Sequence, residues 1–324
     1  MDFGVLSTAG IAQKAFLPGI EASDHAVTAI ASRDEADARA VAAEYGIGET
    51  YGDYGDLIAN ADVDALYIPL PNALHAEWTK RAADAGLDVL CEKPLAVDAA
   101  EARDVVDHCA AQGVTLMEAF MYQYHPRTER AFALARDELE DVRSVTATFK
   151  YRLDRTKDIR LSPELAGGSL MDVGCYAVSV VRQVLGEPER VYATAADTRD
   201  AGVDTELTGL LEYADGVTGR VSSSFDTETV QRYRIEATNG WVEVQDAFDI
   251  PEGELSLEYR IDGRHGVETF DPVDQFRLEI DHFADCVAAD RTPRTDGDEA
   301  IANMRVLDAL LESDERGRPV DLDS

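Results

Sequence analysis

The sequence predicts an α/β fold, with a doubly wound parallel sheet first and an α+β region with a large, mostly antiparallel open sheet after it. Short β-branched runs alternate with Ala-rich helical patterns at the start of the chain, which is typical of βαβ units. Beyond Pro126 strand-like runs follow one another directly. A length of 324 residues suits two domains, so we predict boundaries at 1–122 and 123–324, with terminal helices able to pack back near the first domain.

The first domain alternates strand-like and helical segments. Predicted strands cover residues 2–6, 27–31, 65–68, 88–91 and 114–117. Predicted helices include residues 34–45, 75–85 and 99–111. Because doubly wound sheets bind ligands at the carboxyl ends of their strands, the loops after these strands are the candidate sites.

The second domain reads as a sheet with helices at its two ends. Predicted strands cover residues 142–153, 190–195, 206–213, 217–224, 230–237 and 241–244, with turn signals at 214–216 and 239–240. Predicted helices cover residues 127–136, 169–184, 275–289 and 298–313, before a polar tail over 320–324. The turn signals favour antiparallel pairing.

The charge balance is extreme, with 64 acidic residues against 30 basic ones and a formal net charge of -34. Such a field repels phosphate backbones and anionic membranes, so we expect neither nucleic acid nor membrane partners. Only five of the basic residues are lysines. A high-salt cytoplasm is the simplest explanation, because a Debye length of roughly 3 Å at 1 M screens the repulsion. The alternative is an ordinary acidic protein of a low-salt cell.

Cysteines, histidines and hydropathy argue against metal sites and export. The four cysteines form no CxxC pair, and the six histidines include no H-x-x-x-H pair, so no metal is expected. The first residues carry no basic, apolar leader pattern, and no apolar run is long enough to span a membrane. We therefore expect a cytoplasmic protein.

A turn of small residues follows the first strand and opens a helix. It contains Ser7, Thr8, Ala9, Gly10 and Ile11, where a dinucleotide pyrophosphate would dock on backbone N–H groups. In the G-x-G-x-x-G/A fingerprint the key positions fall on Ser7, Ala9 and Ala12, so both usual glycines are replaced by small residues. An ordinary β-turn-α connection remains an alternative.

The end of the second strand indicates which dinucleotide would bind. An NAD-selective site places an acid about 20 residues beyond the fingerprint, but Ser32 and Arg33 stand here. A hydroxyl and a guanidinium suit a 2′-phosphate, so NADP is the expected cofactor, with NAD as the weaker alternative. Alternatively, Arg33 only cancels the charges of Asp34 and Glu35.

Two further loops carry unusual residues at strand ends. The loop after the third predicted strand contains Leu70, Pro71, Asn72 and His75, and we predict that these residues, like Glu92 and Lys93 in the next loop, bind the cofactor. A helix cap alone would explain Asn72. The loop after the fourth contains Glu92, Lys93 and Pro94, which is a candidate for a cis bond. A lysine at a strand's carboxyl end points into the ligand crevice, whereas a structural ion pair more often lies on a helix surface.

In the second domain, the pair Gly167-Gly168, which we take to be flexible, precedes Asp172 and Tyr176. Their i, i+4 spacing places both side chains on one helix face. A buried tyrosine bonded to an aspartate is the ordinary structural explanation. The nearby charged loop adds Tyr151 and Arg160 as candidates for lining a site, although a solvated loop explains residues 154–160 equally well.

These motifs, taken in order, resemble the Gfo/Idh/MocA oxidoreductase family over essentially the whole chain. The motifs are the Ser7–Ala12 turn, Pro69-Leu-Pro-Asn72-x-x-His75, Glu92-Lys93-Pro94, Met117-Glu-Ala-Phe-Met121 with His125-Pro126, Gly167-Gly-Ser-Leu-Met-Asp172-Val-Gly-Cys-Tyr176, Phe283-Ala-Asp-Cys286 and Ala302-Asn303-Met304. Within the family the chain looks most similar to NADP-dependent D-xylose 1-dehydrogenases and dimeric dihydrodiol dehydrogenases. Many members have His where Tyr176 stands, so a His general base does not carry over.

The resemblance implies an NADP-dependent sugar dehydrogenase that oxidises the C1 hydroxyl of an aldopyranose such as D-xylose. It implies that Lys93 and Tyr176 are the catalytic pair, that Asp172 helps hold the sugar, and that the sheet mediates a homodimer or homotetramer. A neighbouring ammonium would lower the ordinary tyrosine pKa of roughly 10, so Tyr176 or Lys93 could take the proton. Dihydrodiol oxidation, carbonyl or sugar reduction, and a non-catalytic NADP-binding regulator stay open.

Overall fold

The computed structural model describes residues 1–250, 253 and 255–322. Contacts divide the chain into two units, Met1–Met121 with Asp274–Ile301 and Tyr122–Val273 with Ala302–Ser324. The predicted domains 1–122 and 123–324 were defined by function as well as by packing. Contacts alone do not test them, so they stay predictions. Asp323 and Ser324, the end of the predicted tail, lie outside the described residues.

A parallel sheet forms the centre of the first unit. Its strands are β1 (Asp2–Leu6), β2 (Ala26–Ala31), β3 (Glu49–Tyr51), β4 (Ala65–Ile68), β5 (Asp88–Glu92) and β6 (Leu116–Ala119). Across the described residues they lie in the order β3-β2-β1-β4-β5-β6, and every pairing is parallel. The strand order reverses between β1 and β4, so the ligand crevice is expected at their carboxyl ends.

Helices cover both faces of this sheet. They are a π-helical turn (Ala12–Phe16) running into α1 (Leu17–Glu21), α2 (Glu35–Tyr45), α3 (Tyr54–Asn60), a 3₁₀ turn (Asn72–Leu74) running into α4 (His75–Asp84), and α5 (Ala99–Gln112). The Asp34, Asp53 and Asp98 carboxylates accept backbone N–H groups at the starts of α2, α3 and α5. Gly46 and Gly113 end α2 and α5 with φ of 71° and 72°, a conformation that favours glycine.

The second unit contains an open sheet with one covered face. Its strands are β7 (Val142–Arg152), β8 (Arg190–Ala196), β9 (Glu206–Glu212), β10 (Thr218–Ser224), β11 (Asp226–Ala237), β12 (Gly240–Gln245), β13 (Leu255–Ile261), β14 (Arg264–Phe270) and β15 (Val320–Asp321). The described strands lie in the order β14-β13-β12-β11-β7-β10-β9-β8-β15. Only β7 and β10 pair in parallel among them. The predicted fold class is therefore confirmed.

Among the described residues four further α-helices are present: α6 (Pro126–Asp137), α7 (Cys175–Leu185), α8 (Gln275–Ala289) and α9 (Gly297–Arg316). Short helical turns lie at Met121–Tyr124, Ile159–Leu161, Pro163–Leu165, Leu170–Gly174 and Ala214–Gly216. In the second unit, α6 packs on β12 and β13, and α7 packs on β7 and β10. In the first unit α8 packs against α1, with the Phe283 ring 5.9 Å from that of Phe3. No helix in the described part of the chain combines the length and apolarity needed to cross a membrane.

The structure corrects the sequence predictions at several points. The predicted strand 114–117 begins only at Leu116, because the Val114 N–H still donates to the Cys109 carbonyl and ends α5. Residues of the predicted polar tail form β15, since Val320 pairs with Val191 of β8. The predictions omitted β3, β13, β14 and α3. These elements are short or carry mixed charge, so their patterns are weak.

Candidate functional site

The turn after β1 has the shape of a dinucleotide site. Ser7 has a φ of 144°, a value that favours glycine, and it stands where the fingerprint has its first glycine. Such a conformation costs about 1–3 kcal/mol and concentrates at functional sites. A Cβ on Gly10 would meet nothing within 4 Å, and Gln13 Nε2 donates to the Thr8 carbonyl at 2.7 Å. An open, braced turn of small residues fits a pyrophosphate.

The end of β2 presents an arginine that the described residues leave unengaged. The Arg33 side chain is exposed and makes no hydrogen bond or ion pair within the described part of the chain. Asp34 accepts the Ala36 N–H at 2.9 Å, and Glu35 pairs with Arg39 at 2.6 Å. The charge-cancelling alternative for Arg33 therefore has no contact to support it. Ser32 is 8% exposed, beside the same strand end.

Lys93 follows β5, and its peptide bond to Pro94 is cis. The Lys93 side chain is half-buried, whereas the Glu92 side chain is buried. Tyr67 at the end of β4 donates its hydroxyl to Glu92 Oε1 at 2.7 Å and stacks on Phe16 at 3.8 Å. The predicted cofactor contact of Glu92 stays a prediction, and the structure adds a bond that fixes its carboxylate.

Two further buried acids belong to the first unit, and one of them, Glu118, holds the Lys93 loop. Glu118 Oε1 accepts the Leu95 N–H at 2.7 Å, two residues beyond Lys93. Glu279 of α8 is 1% exposed, and burial together with the Glu92 charge raises its pKa well above the usual range. The physical cause is that the ionised form would lie unsolvated beside a second carboxylate.

In the second unit, Asp172 is the centre of a polar cluster. The Tyr151 hydroxyl donates to Asp172 Oδ2 at 2.8 Å, and Arg160 Nε donates to the same oxygen at 2.9 Å. Arg160 is held in turn by Asp158, whose carboxylate accepts Nη1 at 3.1 Å. Burial and the Asp172 charge raise the pKa of Tyr151, so it remains a hydrogen-bond donor at neutral pH. Three predicted substrate residues are thus brought together.

Tyr176 is packed among aromatic rings. Its ring centroid is 5.6 Å from Phe149, 5.9 Å from Tyr122 and 5.4 Å from Phe248, and the residue is 4% exposed. The predicted helix over residues 169–184 is present, and its first turn, Leu170–Gly174, is π-helical and runs directly into α7. Such turns often occur at functional sites, and here the turn carries Asp172.

The Gly167-Gly168 pair is packed rather than flexible, contrary to expectation. A Cβ on Gly167 would lie 2.4 Å from the Arg160 carbonyl oxygen, and one on Gly168 would lie 2.3 Å from Asp204 Oδ1. Asp204 Oδ2 accepts the Ser169 hydroxyl at 2.7 Å and the Leu170 N–H at 2.8 Å. Asp204 therefore anchors the turn that carries Asp172. Sequence patterns gave no signal for it, because it is distant along the chain.

Replacing Asp204 with asparagine is expected to change how stability depends on pH. Burial raises the Asp204 pKa from 3.8 to about 6, although four hydrogen bonds oppose that shift. The protonated Asp204 carboxyl contributes stability that is complete below the pKa of the unfolded state. This contribution, at most about 3 kcal/mol, is lost as pH rises through the pKa of the folded state. As pH is raised from 4 to 7, the free energy of unfolding of Asp204→Asn, measured with urea, should therefore increase relative to that of the wild type. A pH-independent difference would contradict this.

The predicted site residues fall into both units. The dinucleotide residues and Lys93 lie in the first unit, and Asp172, Tyr176, Tyr151 and Arg160 lie in the second. His75 is fully buried beneath the loop after β4. Sequence reasoning missed Asp158 and Glu279 as well as Asp204. Among the described residues, no three His, Cys, Asp or Glu side chains are grouped so that they could hold a metal ion.

The first unit has a Rossmann sheet with an open turn after β1, and the second unit presents a fixed carboxylate and a buried tyrosine. These features define a dinucleotide-dependent α/β oxidoreductase. The chain belongs to the Gfo/Idh/MocA family. The model for the oxidoreductase family with an NAD-binding Rossmann fold matches residues 1–120, and that for the GFO/IDH/MocA C-terminal domain matches residues 132–243. The predicted family is confirmed.

Relatives cover the whole chain. D-xylose 1-dehydrogenase (NADP(+)) 2 of Haloferax volcanii is 55% identical over 100% of both chains. The aldose-aldose oxidoreductase of Caulobacter crescentus, solved with glycerol, has a TM-score of 0.93 and 28% identity over 99% of each chain. A 3-ketoreductase of Actinomadura kijaniata, solved with NADP and TDP-benzene, has a TM-score of 0.91 and 30% identity over 97% of each chain.

Proposed function

We propose that this protein is an NADP-dependent sugar dehydrogenase that oxidises the anomeric C1 hydroxyl of an aldopyranose, with D-xylose as the substrate and xylonolactone as the product. The observation that carries this proposal is the 55% identity, over the full length of both chains, with a D-xylose 1-dehydrogenase (NADP(+)). Lys93, Asp172 and Tyr176 are all present. The similarity in fold to an aldose-aldose oxidoreductase adds support.

The first unit holds the cofactor in this proposal. The turn Ser7, Thr8, Ala9, Gly10 and Ile11 takes the pyrophosphate, and Ser32 and Arg33 take the 2′-phosphate. Leu70, Pro71, Asn72 and Glu92, in the loops after β4 and β5, complete the cofactor site. NADP, when bound, supplies the hydride acceptor. The open turn and the unengaged guanidinium of Arg33 fit such a ligand.

The second unit holds the sugar. Asp172 is an acceptor for a sugar hydroxyl, because Tyr151 and Arg160 fix the carboxylate from the protein side. Asp158 keeps the Arg160 guanidinium in place. Two donors on one carboxylate oxygen define its orientation, so the acceptor direction toward the sugar is preorganised.

The chemical step separates a proton from a hydride at one carbon. The C1 hydroxyl loses its proton to a base of the protein as C1 loses its hydride, and the C1–O bond becomes the lactone carbonyl. Lys93 and Tyr176 are the two candidates for the base. Either Tyr176 takes the proton with Lys93 favouring the phenolate, or Lys93 takes it directly.

A second candidate function runs the same chemistry toward reduction of a sugar carbonyl. It is favoured by the 3-ketoreductase of Actinomadura kijaniata, which has a TM-score of 0.91 to this chain. The distinction lies in the substrate and not in the fold, because the same donors and acceptors serve both directions.

Absorbance of the reduced nicotinamide tests the assignment. Purified protein in high salt is given NADP or NAD with D-xylose, D-glucose, L-arabinose or inositol, and NADPH with keto-sugars in the reverse direction. NADP reduction with D-xylose above the other sugars is the expected result. Turnover only in the reverse direction would favour the reductase, and no turnover in either direction would favour a non-catalytic NADP-binding regulator.

Replacing Arg33 with alanine is expected to weaken NADP and spare NAD. Loss of charged hydrogen bonds to the 2′-phosphate costs about 1.5–3 kcal/mol, so the KM for NADP should rise roughly 10- to 100-fold. The KM for NAD should change little. Arg39→Ala is the matched control, because Arg39 lies on the same surface and is already paired with Glu35. An equal rise for both cofactors would contradict the role of Arg33.

We also propose a high-salt cytoplasm as the working environment and a homo-oligomer formed through the sheet of the second unit. The net charge of -34 supports the first proposal, since self-repulsion at low salt destabilises a compact chain. The second proposal rests on the resemblance to the family described above. The sugar is the only partner class that the proposed chemistry requires.

A further inference from the structure

We propose that His75 is a positioning residue that ties the loop after β4 to the loop carrying Lys93, and that it does not itself contact cofactor or substrate. Its catalytic consequence rests on the proposed function, whereas its mechanical role does not. The sequence motif alone places His75 among the cofactor-binding residues, because its neighbours Leu70, Pro71 and Asn72 follow the same strand.

The geometry consists of two short contacts from one ring. His75 Nδ1 lies 2.7 Å from the carbonyl oxygen of Pro94, and Nε2 lies 2.7 Å from the carbonyl oxygen of Leu70. Leu70 follows β4, and Pro94 follows Lys93 at the end of β5. These strands are neighbours in the sheet. A single imidazole therefore joins the carboxyl-end loops of two adjacent strands.

Burial separates His75 from any ligand. The residue is 0% exposed, so its ring is enclosed by protein on every side. Each ring nitrogen lies against a backbone carbonyl oxygen. A contact with cofactor would require the ring to turn away and leave a buried carbonyl without its partner, which costs about 1–3 kcal/mol.

The chemistry of the two acceptors makes imidazole hard to replace. Carbonyl oxygens accept only, so each ring nitrogen bonds its carbonyl only when it carries the proton. Burial, with a smaller contribution from the Lys93 charge, lowers the His75 pKa to about 4, although the two carbonyls oppose the shift. The neutral ring donates to one carbonyl at a time while remaining in contact with both. An aliphatic side chain at this position has no N–H to donate to either carbonyl.

The position of Lys93 depends on this bridge. The Lys93–Leu95 segment is held by His75 at the Pro94 carbonyl and by Glu118 at the Leu95 N–H. Without the imidazole, one of the two attachments is lost and the segment can shift. Since misplacing a catalytic group by about 1 Å costs on the order of 100-fold in rate, the effect should appear in kcat.

Hydrogen exchange followed by mass spectrometry tests the mechanical role independently of activity. In His75→Gln and His75→Ala, the peptide containing Leu95 should exchange about tenfold faster than in the wild type, the equivalent of about one hydrogen bond. Thr79→Val is the matched control, because Thr79 is 0% exposed one turn later on α4. Equal protection in all four proteins would overturn the proposal, even in a protein that turned over no sugar.

Kinetics and ligand binding test the catalytic consequence. NADPH fluorescence gives the fraction of sites that bind and their Kd, and kcat is expressed per binding site. We expect kcat to fall about 100-fold in His75→Ala and less in His75→Gln, with Kd changing only a few-fold. Added imidazole should restore part of kcat in His75→Gly and none in Lys93→Ala. A raised Kd with unchanged kcat would mean that His75 contacts cofactor, and would overturn the proposal.

Discussion

Lys93→Met is expected to lower kcat by about 1,000-fold or more while leaving NADPH affinity within a few-fold of the wild type. Acid–base groups contribute roughly 100- to 10,000-fold, and the loss of the ammonium removes either the base or the charge that favours a phenolate at Tyr176. Methionine keeps the length of the side chain, so the half-buried site remains filled. The measurement is NADP reduction with the best sugar at saturating concentrations of both ligands.

Lys80→Met is the control for this variant. Lys80 is also in the first unit, and its ammonium pairs with Asp104 at 2.6 Å on the surface. Its loss should leave kcat unchanged, because exposed ion pairs contribute little. Wild-type kcat in Lys93→Met, or equal losses in both variants, would remove Lys93 from the chemistry.

Tyr176→Phe is expected to lower kcat by roughly 100- to 10,000-fold without a comparable loss of stability. The phenyl ring keeps its contacts with Phe149, Tyr122 and Phe248, so packing is preserved. Only the hydroxyl is removed. Tyr122→Phe is the matched control, since it removes a hydroxyl from the same aromatic cluster, where Tyr122 bonds Ser179 at 2.8 Å. Equal effects of the two variants would argue against a catalytic role for Tyr176.

The pH profile of Tyr176→Phe separates the two routes for the proton. If Tyr176 is the base, the residual rate should lose the ionisation on the acid side of the kcat profile. If Lys93 is the base, that ionisation should persist at a lower plateau. A profile measured from pH 5 to pH 10 in high salt distinguishes these outcomes.

Much of the fold followed from hydrophobic periodicity. Strands β1 and β4 and helix α8 have the predicted bounds, because their apolar patterns are long or wholly buried. Two of the strands that were not predicted as strands are very short: β3, with three residues, and β15, with two. Such short strands are stabilised by a neighbour already in place and not by their own pattern, so the sequence gives little signal for them.

Motif order also identified the family and singled out the residues that we propose for the chemistry. Ligands of doubly wound sheets bind at strand ends and helix starts. This rule allowed the sequence analysis to name Ser7, Lys93, Asp172 and Tyr176. The same reasoning described Gly167-Gly168 as flexible and His75 as a cofactor ligand. The close approach of Asp204 to Gly168 shows that the pair is glycine for reasons of space.

The fold class, the Ser32-Arg33 ending of β2 and the polar residues at the strand ends could be read from the sequence. The groups that hold these residues are visible only in the folded chain: Asp204 for the turn that carries Asp172, Tyr151 and Arg160 for the Asp172 carboxylate, and His75 for the Lys93 loop. The physical reason is that periodicity and motif order report local conformation. A hydrogen bond between residues far apart in the chain depends on distances that exist only after packing, and no local pattern records them.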